Sequence, residues 1–154
     1  MLIGLNIFLG ISLFFAPVVK SPSFQDSPLD QSSIYFYINE YRDQNDLQPL
    51  STENFYCEYA KERSEEIITD WSHDQWVADG IDNIKRYNTV CPECENMGEN
   101  IARGATMNIQ LLNAWKNSPL HNAALLDPKY DIMCLETTWS DGVPYTALEF
   151  GDTN

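Results

Sequence analysis

The chain has 154 residues, of which 23 are acidic and nine are basic, so its formal net charge at pH 7 is −14. Its length indicates a single domain, and its aromatic content of 12% argues against a disordered chain. No block of Lys and Arg stands out. Because phosphate binding needs such clusters, the composition argues against a nucleic-acid partner.

The first nineteen residues carry no charged side chain, and residues 2–19 form an apolar run. As a helix this run would be about 27 Å long, close to the hydrocarbon thickness of a bilayer. Residues 1–19 are therefore predicted to be a secretory signal peptide or an uncleaved membrane anchor. Residues 20–33, rich in Ser, Pro, Asp and Gln, are predicted to be a linker. Residues 34–154 then form the folded domain, outside the cytoplasm.

Three helices are predicted in the first half of this domain. The first covers residues 34–44 with Ser33 as its N-cap, and the second follows a cap at Ser51 or Thr52. A third, weaker helix is predicted over residues 74–87, and a loop over residues 88–97. The second helix has an inner stripe at helical spacing, formed by Tyr56, Tyr59, Ala60, Arg63 and Ile67.

The second half of the domain is predicted to supply the sheet. A strand over residues 99–103 is followed by a helix over residues 107–117 that buries Ile109, Leu112 and Trp115. Strands over residues 131–139 and 144–150 form a hairpin around Ser140-Asp-Gly142. The expected fold class is α+β: a three-layer α/β/α sandwich with a three-stranded antiparallel sheet.

A further short helix is predicted over residues 119–126. Pro119 would break a continuing helix but suits the first position of a new one, with Ser118 as its N-cap. His121 then lies in the first turn, where the amide end of the helix disfavours a protonated imidazole. We therefore expect His121 to be neutral at pH 7 and able to offer a lone pair.

The chain has only two histidines, His73 and His121. Together with Glu99 they form a set that commonly binds a divalent metal, zinc above all. The alternative is structural, because buried His and Glu often hydrogen-bond to each other and to the backbone. A Ser–His nucleophile made of Ser118 and His121 is a third option, but Ser118 is better explained as a helix cap and no oxyanion motif is visible.

Several short blocks in a fixed order carry a family resemblance. They are Asn39-Glu-Tyr-Arg42, Gln48-Pro-Leu50, Trp71-Ser-His73, Gly98-Glu-Asn-Ile-Ala102, Trp115-Lys-Asn-Ser-Pro-Leu-His121 and Glu149-Phe-Gly151. They resemble the motifs of the CAP superfamily, which comprises cysteine-rich secretory, antigen 5 and group 1 pathogenesis-related proteins. The bacterial SCP-like branch is the closer match, over about residues 34–151.

The resemblance implies the CAP/SCP fold, secretion and a central cleft. By motif, His73, Glu99 and His121 correspond to cleft residues. The second Glu of the eukaryotic members would fall near Ser118, so the acidic set of the family is incomplete here. A metal in this cleft would have at most three protein ligands, with water or a substrate completing its shell.

Four cysteines in an exported chain imply two disulfides. They are Cys57, Cys91, Cys94 and Cys134. Cys91 and Cys94 could pair with each other, bind a metal, or send one sulfur to Cys134. The resemblance to the eukaryotic branch favours Cys134 joined to Cys91 or Cys94, with Cys57 taking the other or staying free.

Three functions follow as hypotheses. The favoured one is a secreted or membrane-anchored binding module that acts as a monomer. Its ligand would be extracellular: a lipid, a cell-wall component or a protein. The second is a zinc-dependent hydrolase of peptide or cell-wall material, with zinc held by His73, His121 and Glu99. The third is a purely structural surface domain. No catalytic group beyond the cleft set is evident, which leans against an enzyme.

Overall fold

A computed structural model describes residues 27–73 and 94–153 of the chain. The predicted leader at residues 1–19, the predicted helix at residues 74–87 and Cys91 lie outside the described residues. The helices are α1 (Gln31–Asp43), α2 (Asn54–Thr69), α3 (Asn108–Lys116) and α4 (Pro119–Leu125). The strands are β1 (Met97–Arg103), β2 (Ile132–Ser140) and β3 (Val143–Gly151).

The three strands form one antiparallel sheet in the order β1-β3-β2. The β2–β3 hairpin turns through Asp141 and Gly142, whose φ angles of 51° and 77° are both positive. A two-residue turn of this kind matches the twist of the strands it joins. The predicted hairpin is confirmed, and the register places Glu99 of β1 directly opposite Glu149 of β3.

Helices cover both faces of the sheet, because successive strand residues point to opposite sides. On β2, Met133 and Leu135 pack in the core shared with α1, α3 and α4, whereas Ile132 and Cys134 pack against α2. The α+β fold with three α/β/α layers is therefore confirmed. Within the described ranges, no helix combines the length and the apolar character needed to cross a membrane.

The first helix begins three residues earlier than predicted. Asp30, rather than Ser33, is its N-cap, and the Asp30 carboxylate accepts the Ser33 N–H at 2.9 Å. Asn108 at the start of α3 donates its amide to Ser27 and Pro28. The segment from residue 27 to residue 33, assigned to the linker from its composition, thus belongs to the folded domain.

Two other helix details differ from the sequence prediction. The N-cap of α2 is Glu53, not Ser51 or Thr52, because Ser51 forms a parallel bridge with Ile132 of β2. In α3 the half-buried Ile109 is not a core residue. Leu111 is fully buried in its place. Leu112 and Trp115 are buried, as predicted.

The described disulfide joins Cys57 of α2 to Cys134 of β2. The pairing favoured by the eukaryotic resemblance, Cys134 with Cys91 or Cys94, is therefore wrong. Its physical reason is that α2 packs directly on β2, with 5.1 Å between the two Cα atoms. Cys94 is disulfide-bonded as well, so neither Cys57 nor Cys94 is a free thiol.

Candidate functional site

The centre of the site is the carboxylate of Glu99, on β1. Its Oε1 lies 2.7 Å from Nδ1 of His73, which follows the end of α2. Its Oε2 accepts the Nε–H of Arg63 at 2.7 Å, and Arg63 Nη2 donates to Oε1 at 3.3 Å. The structure thus brings His73 and Glu99 into direct contact. Both carboxylate oxygens are already engaged by protein groups.

This network is buried on its acidic side and open at His73. The side chains of Arg63 and Glu99 are 0% and 1% exposed, whereas that of His73 is 43% exposed. Burial disfavours the charged form of Glu99, but hydrogen bonds with His73, Arg63 and Glu149, together with the charge of Arg63, lower its pKa. An ionised Glu99 can only accept, so Nδ1 of His73 carries the proton and Nε2 is the acceptor.

Glu149 is a second buried carboxyl group at the same point of the sheet. It is 0% exposed and lies opposite Glu99 in the β1–β3 register. A hydrogen bond with Glu149 is among the causes that lower the pKa of Glu99. Arg63 balances negative charge at this point, and its other terminal nitrogen, Nη1, contacts the half-buried Glu66 at 2.6 Å.

His121 lies beside this network, in the first turn of α4 as predicted. The centroids of its ring and that of His73 are 6.2 Å apart, with 53° between the ring planes. The Asn100 side chain donates to the His121 carbonyl at 3.0 Å and so ties α4 to β1. Burial, and then the charge of His73, lower the pKa of His121. This direction agrees with the expectation of a neutral His121, although the expected cause was the helix terminus.

Ser118 occupies the N-cap position of α4, but its side chain makes no capping hydrogen bond. Its backbone carbonyl accepts the Asn122 N–H at 2.8 Å. The hydroxyl is therefore not used to hold the helix, contrary to the structural explanation expected from the sequence. No hydrogen bond joins it to the His121 ring within the described part of the chain.

Ser118 and His121 both line a groove of about 380 Å³ between the end of β1 and helices α3 and α4. A groove of this size lies at the lower end of the range for small-molecule sites. Its lining residues are Ile101, Ala102, Arg103, Gly104, Ala105, Gln110, Ala114, Trp115, Ser118 and His121. His73 and Glu99 adjoin the groove through His121 and do not line it.

An aromatic and cationic wall continues from the groove. Arg103 lies over the ring of Tyr145, with its guanidinium carbon 5.1 Å from the centroid. The half-exposed Trp71 packs edge-on against the same ring at 6.3 Å. Trp71 thus stands two residues from His73 on the rim of the site.

The geometry limits how a metal could be held. With both oxygens of Glu99 engaged by Arg63 and His73, that residue does not fit as a direct ligand. His73 fits better, since metal-binding histidines usually donate their second nitrogen to a carboxylate. In the described ranges, the only group of three candidate ligands within 4.8 Å of one another is Cys57, Cys134 and Glu136. Its two sulfurs form the disulfide and so offer no thiolate.

Sequence reasoning missed the roles of Arg63 and Glu149. The helical stripe placed Arg63 in the interior, and a buried Arg is seldom found without an acidic partner. That signal indicates an ion pair without naming Glu99. Glu149 lies in a buried strand whose other residues, apart from Tyr145 and Thr146, carry no polar side chain, and a buried carboxyl group also requires a partner.

Comparison of the fold identifies similar solved structures, all from bacteria. An outer surface protein of Borrelia burgdorferi superposes with a TM-score of 0.68 at 21% identity, covering 84% of this chain and 100% of that one. A cysteine-rich secretory protein of Staphylococcus aureus gives 0.64 at 24% identity, covering 88% of this chain and 41% of that one. An extracellular SCP-domain protein of Bacillus anthracis gives 0.63 at 21% identity, covering 79% and 40%.

The chain therefore spans about two-fifths of the length of the last two proteins. At these identities the likeness establishes the fold alone. No curated protein matches the sequence. The sequence model of the cysteine-rich secretory protein family, CAP, matches residues 35–134, which is more than half of the chain. The motifs, the three-layer fold and this match together establish that the chain belongs to the CAP family.

Proposed function

We propose that the chain is an extracytoplasmic binding module that holds an extracellular ligand in the groove beside His121. One observation carries the proposal: the groove of about 380 Å³ is lined by the ring of His121 and by the Ser118 hydroxyl, which makes no capping hydrogen bond to α4. The ligand classes considered are a lipid, a cell-wall component and a protein. We expect the chain to act as a monomer without a nucleic-acid partner.

The network behind the groove favours binding over catalysis. A general base needs a lone pair within reach of the substrate proton, and the Glu99 oxygens already accept from Arg63 and His73. Ser118 is not hydrogen-bonded to His121, so the pair lacks the activated-nucleophile geometry. Arg63 and Glu99 instead hold the His73 loop against β1 and fix the shape of the rim.

The location outside the cytoplasm rests on two further points. The apolar run at residues 2–19 is predicted to direct export or to anchor the chain in the membrane. The disulfide between Cys57 and Cys134 is typical of oxidising compartments. The similar structures bear the descriptions outer surface and extracellular protein, which agrees with this proposal.

A groove-filling variant tests the proposed site. Ala114 is exposed on α3 and lines the groove, so Ala114→Phe fills it without disturbing the core. Binding of soluble peptidoglycan fragments and of phosphatidylglycerol vesicles is measured with the purified chain. We expect binding to be lost in Ala114→Phe. It should be retained in the matched control Ala123→Phe, because Ala123 is exposed on α4 outside the groove. Undiminished binding in Ala114→Phe contradicts the proposal.

A second candidate function is a zinc-dependent hydrolase of peptide or cell-wall material. The contact between Glu99 and Nδ1 of His73 favours it, because it leaves Nε2 of His73 as a candidate metal ligand. A ring nitrogen of His121 is the second candidate, since the centroids of the two rings are 6.2 Å apart. These two nitrogens are the groups that would hold zinc, and the metal would supply activated water. Catalytic zinc sites usually have three protein ligands, so this candidate stands behind the binding module.

Zinc titration by calorimetry separates the two candidates. Binding of one zinc ion to the full chain, abolished in both His73→Ala and His121→Ala, favours the second candidate. It gains full support if a peptide or wall extract is hydrolysed and Glu99→Gln stops the reaction. Absence of zinc binding in the wild type eliminates the hydrolase and leaves the binding module unaffected.

A further inference from the structure

None of the described residues that line the groove is acidic, although the chain is strongly acidic. The chain has 23 acidic residues among 154 and a net charge of −14. The described residues that line this groove include none, and Arg103 supplies a positive charge. The local charge is therefore opposite in sign to that of the whole molecule.

The described part of the chain offers Arg103 no salt bridge. Its guanidinium carbon lies 5.1 Å from the centroid of the Tyr145 ring, a cation–π contact that leaves the guanidinium N–H groups without a carboxylate partner among the described residues. A guanidinium without an acidic partner can donate two parallel hydrogen bonds to a planar group that has two acceptor oxygens.

Other groups along the groove are also donors. The Oε1 atom of Gln110 accepts the Thr106 N–H at 3.1 Å, so its amide N–H groups are left to donate elsewhere. The Ser118 hydroxyl is not used as a cap. The neutral His121 ring supplies one further N–H. The remaining lining is apolar, including Ile101, Ala105 and Trp115.

We infer that this groove binds a small ligand through a carboxylate, which pairs with Arg103 and is supported by Gln110 and Ser118 while the ligand's apolar part rests on the Ile101–Trp115 side. The inference rests on the proposed function, whose groove it uses, and adds the ligand's chemical class. A single Arg fork matches a carboxylate. A phosphate carries more charge and would be repelled more strongly by the −14 chain.

The carboxylate can come from a sugar acid or from a peptide terminus, and two probe pairs distinguish these sources. N-acetylmuramic acid is compared with its methyl ester, and acetyl-alanyl-alanine with its amide, so that each pair differs by one charge. Binding to the full chain at millimolar concentration is followed by ¹⁵N–¹H NMR. In at least one pair, we expect the dissociation constant of the acid to be lower than that of its neutral partner by about tenfold or more.

Charge variants show whether Arg103 causes the preference. Arg103→Gln should abolish the difference between acid and neutral probe. Lys129→Gln removes one charge from an exposed position outside the groove and should preserve it. The inference is overturned if neutral probes bind equally well, if the preference survives in Arg103→Gln, or if no acid binds. Neutral binding that Ala114→Phe abolishes would overturn this inference while supporting the proposed function.

Discussion

Replacing Arg63 by Met tests whether the buried ion network stabilises the fold. Arg63 is fully buried and donates from Nε and Nη2 to Glu99, while Nη1 pairs with Glu66. Met has a similar length but no charge, so the substitution leaves two buried carboxyl groups without their cation. Removing one partner of a buried pair costs about 3–5 kcal/mol of unfolding free energy. That is a large share of the roughly 5–15 kcal/mol that stabilises a typical domain.

Urea unfolding at pH 7.5 measures the effect. With a slope of about 2 kcal/mol per molar urea, the expected loss lowers the midpoint by about 2 M. The difference in urea midpoint between the wild type and Arg63→Met should be smaller at pH 5.0. In the variant, burial without Arg63 raises the pKa of Glu99, so protonation relieves the penalty as the pH falls. In the wild type the pKa of Glu99 is lowered, so its contribution persists above the ordinary value of 4.5 and is lost only below it.

Lys61→Met is the matched control, because Lys61 is exposed on the same helix. It should change the unfolding free energy by no more than about 0.5 kcal/mol. A loss below about 1 kcal/mol in Arg63→Met, or an equal loss at both pH values, would refute the assignment of Arg63 as the counter-ion of a buried acid pair.

Three further outcomes are expected from stability measurements. Gly98→Ala should destabilise the fold by about 1–3 kcal/mol, because a Cβ there would lie 2.6 Å from the Tyr130 hydroxyl; an unchanged melting temperature would contradict this close approach. Replacing both Cys57 and Cys134 by Ala should cost about 2–5 kcal/mol in urea unfolding, since the bridge closes a loop with a sequence separation of 77; wild-type stability would argue against the bridge. Burial raises the pKa of Tyr35 and of Tyr130 to about 12, so stability should fall as the pH rises from 10 towards 12, and an alkaline titration that shows no loss would count against their burial.

The sequence identified the elements whose periodicity is strong. The stripe of α2, the β2–β3 hairpin and the Pro119 helix were predicted because apolar spacing and turn residues act locally. The start of α1 was misplaced because Asp30 and Ser33 are both competent caps, and the choice depends on contacts of the preceding segment with Asn108. Local propensity does not contain that information.

The site was predictable in part for a related reason. His73, Glu99 and His121 lie in recognisable blocks, so their proximity could be expected. The pairing of Arg63 with Glu99 depends on how α2 lies across β1, and that of Glu99 with Glu149 depends on strand register. The Cys57–Cys134 disulfide likewise depends on tertiary packing, here of α2 on β2. The eukaryotic cysteine pattern did not predict this pairing.

Gly98 shows how one motif residue acquires its meaning only in the fold. Its backbone conformation has no positive φ, so freedom of the chain does not require glycine. The Tyr130 ring lies over it and donates its hydroxyl to the Met97 carbonyl at 2.8 Å. The same ring stacks on Phe150, with 5.4 Å between the centroids. The glycine is therefore explained by a tertiary contact 32 residues along the chain.

The tautomer of His73 and the titration of His121 test most directly how the site is assembled. Long-range ¹⁵N–¹H NMR of the labelled chain resolves both rings, and His121→Ala assigns them. We predict that neutral His73 carries its proton on Nδ1, that Glu99→Gln alters this signal, and that His121 titrates below the ordinary value of 6.5. A His73 proton on Nε2 that is insensitive to Glu99→Gln, with His121 titrating as a free imidazole, would contradict the assembled site.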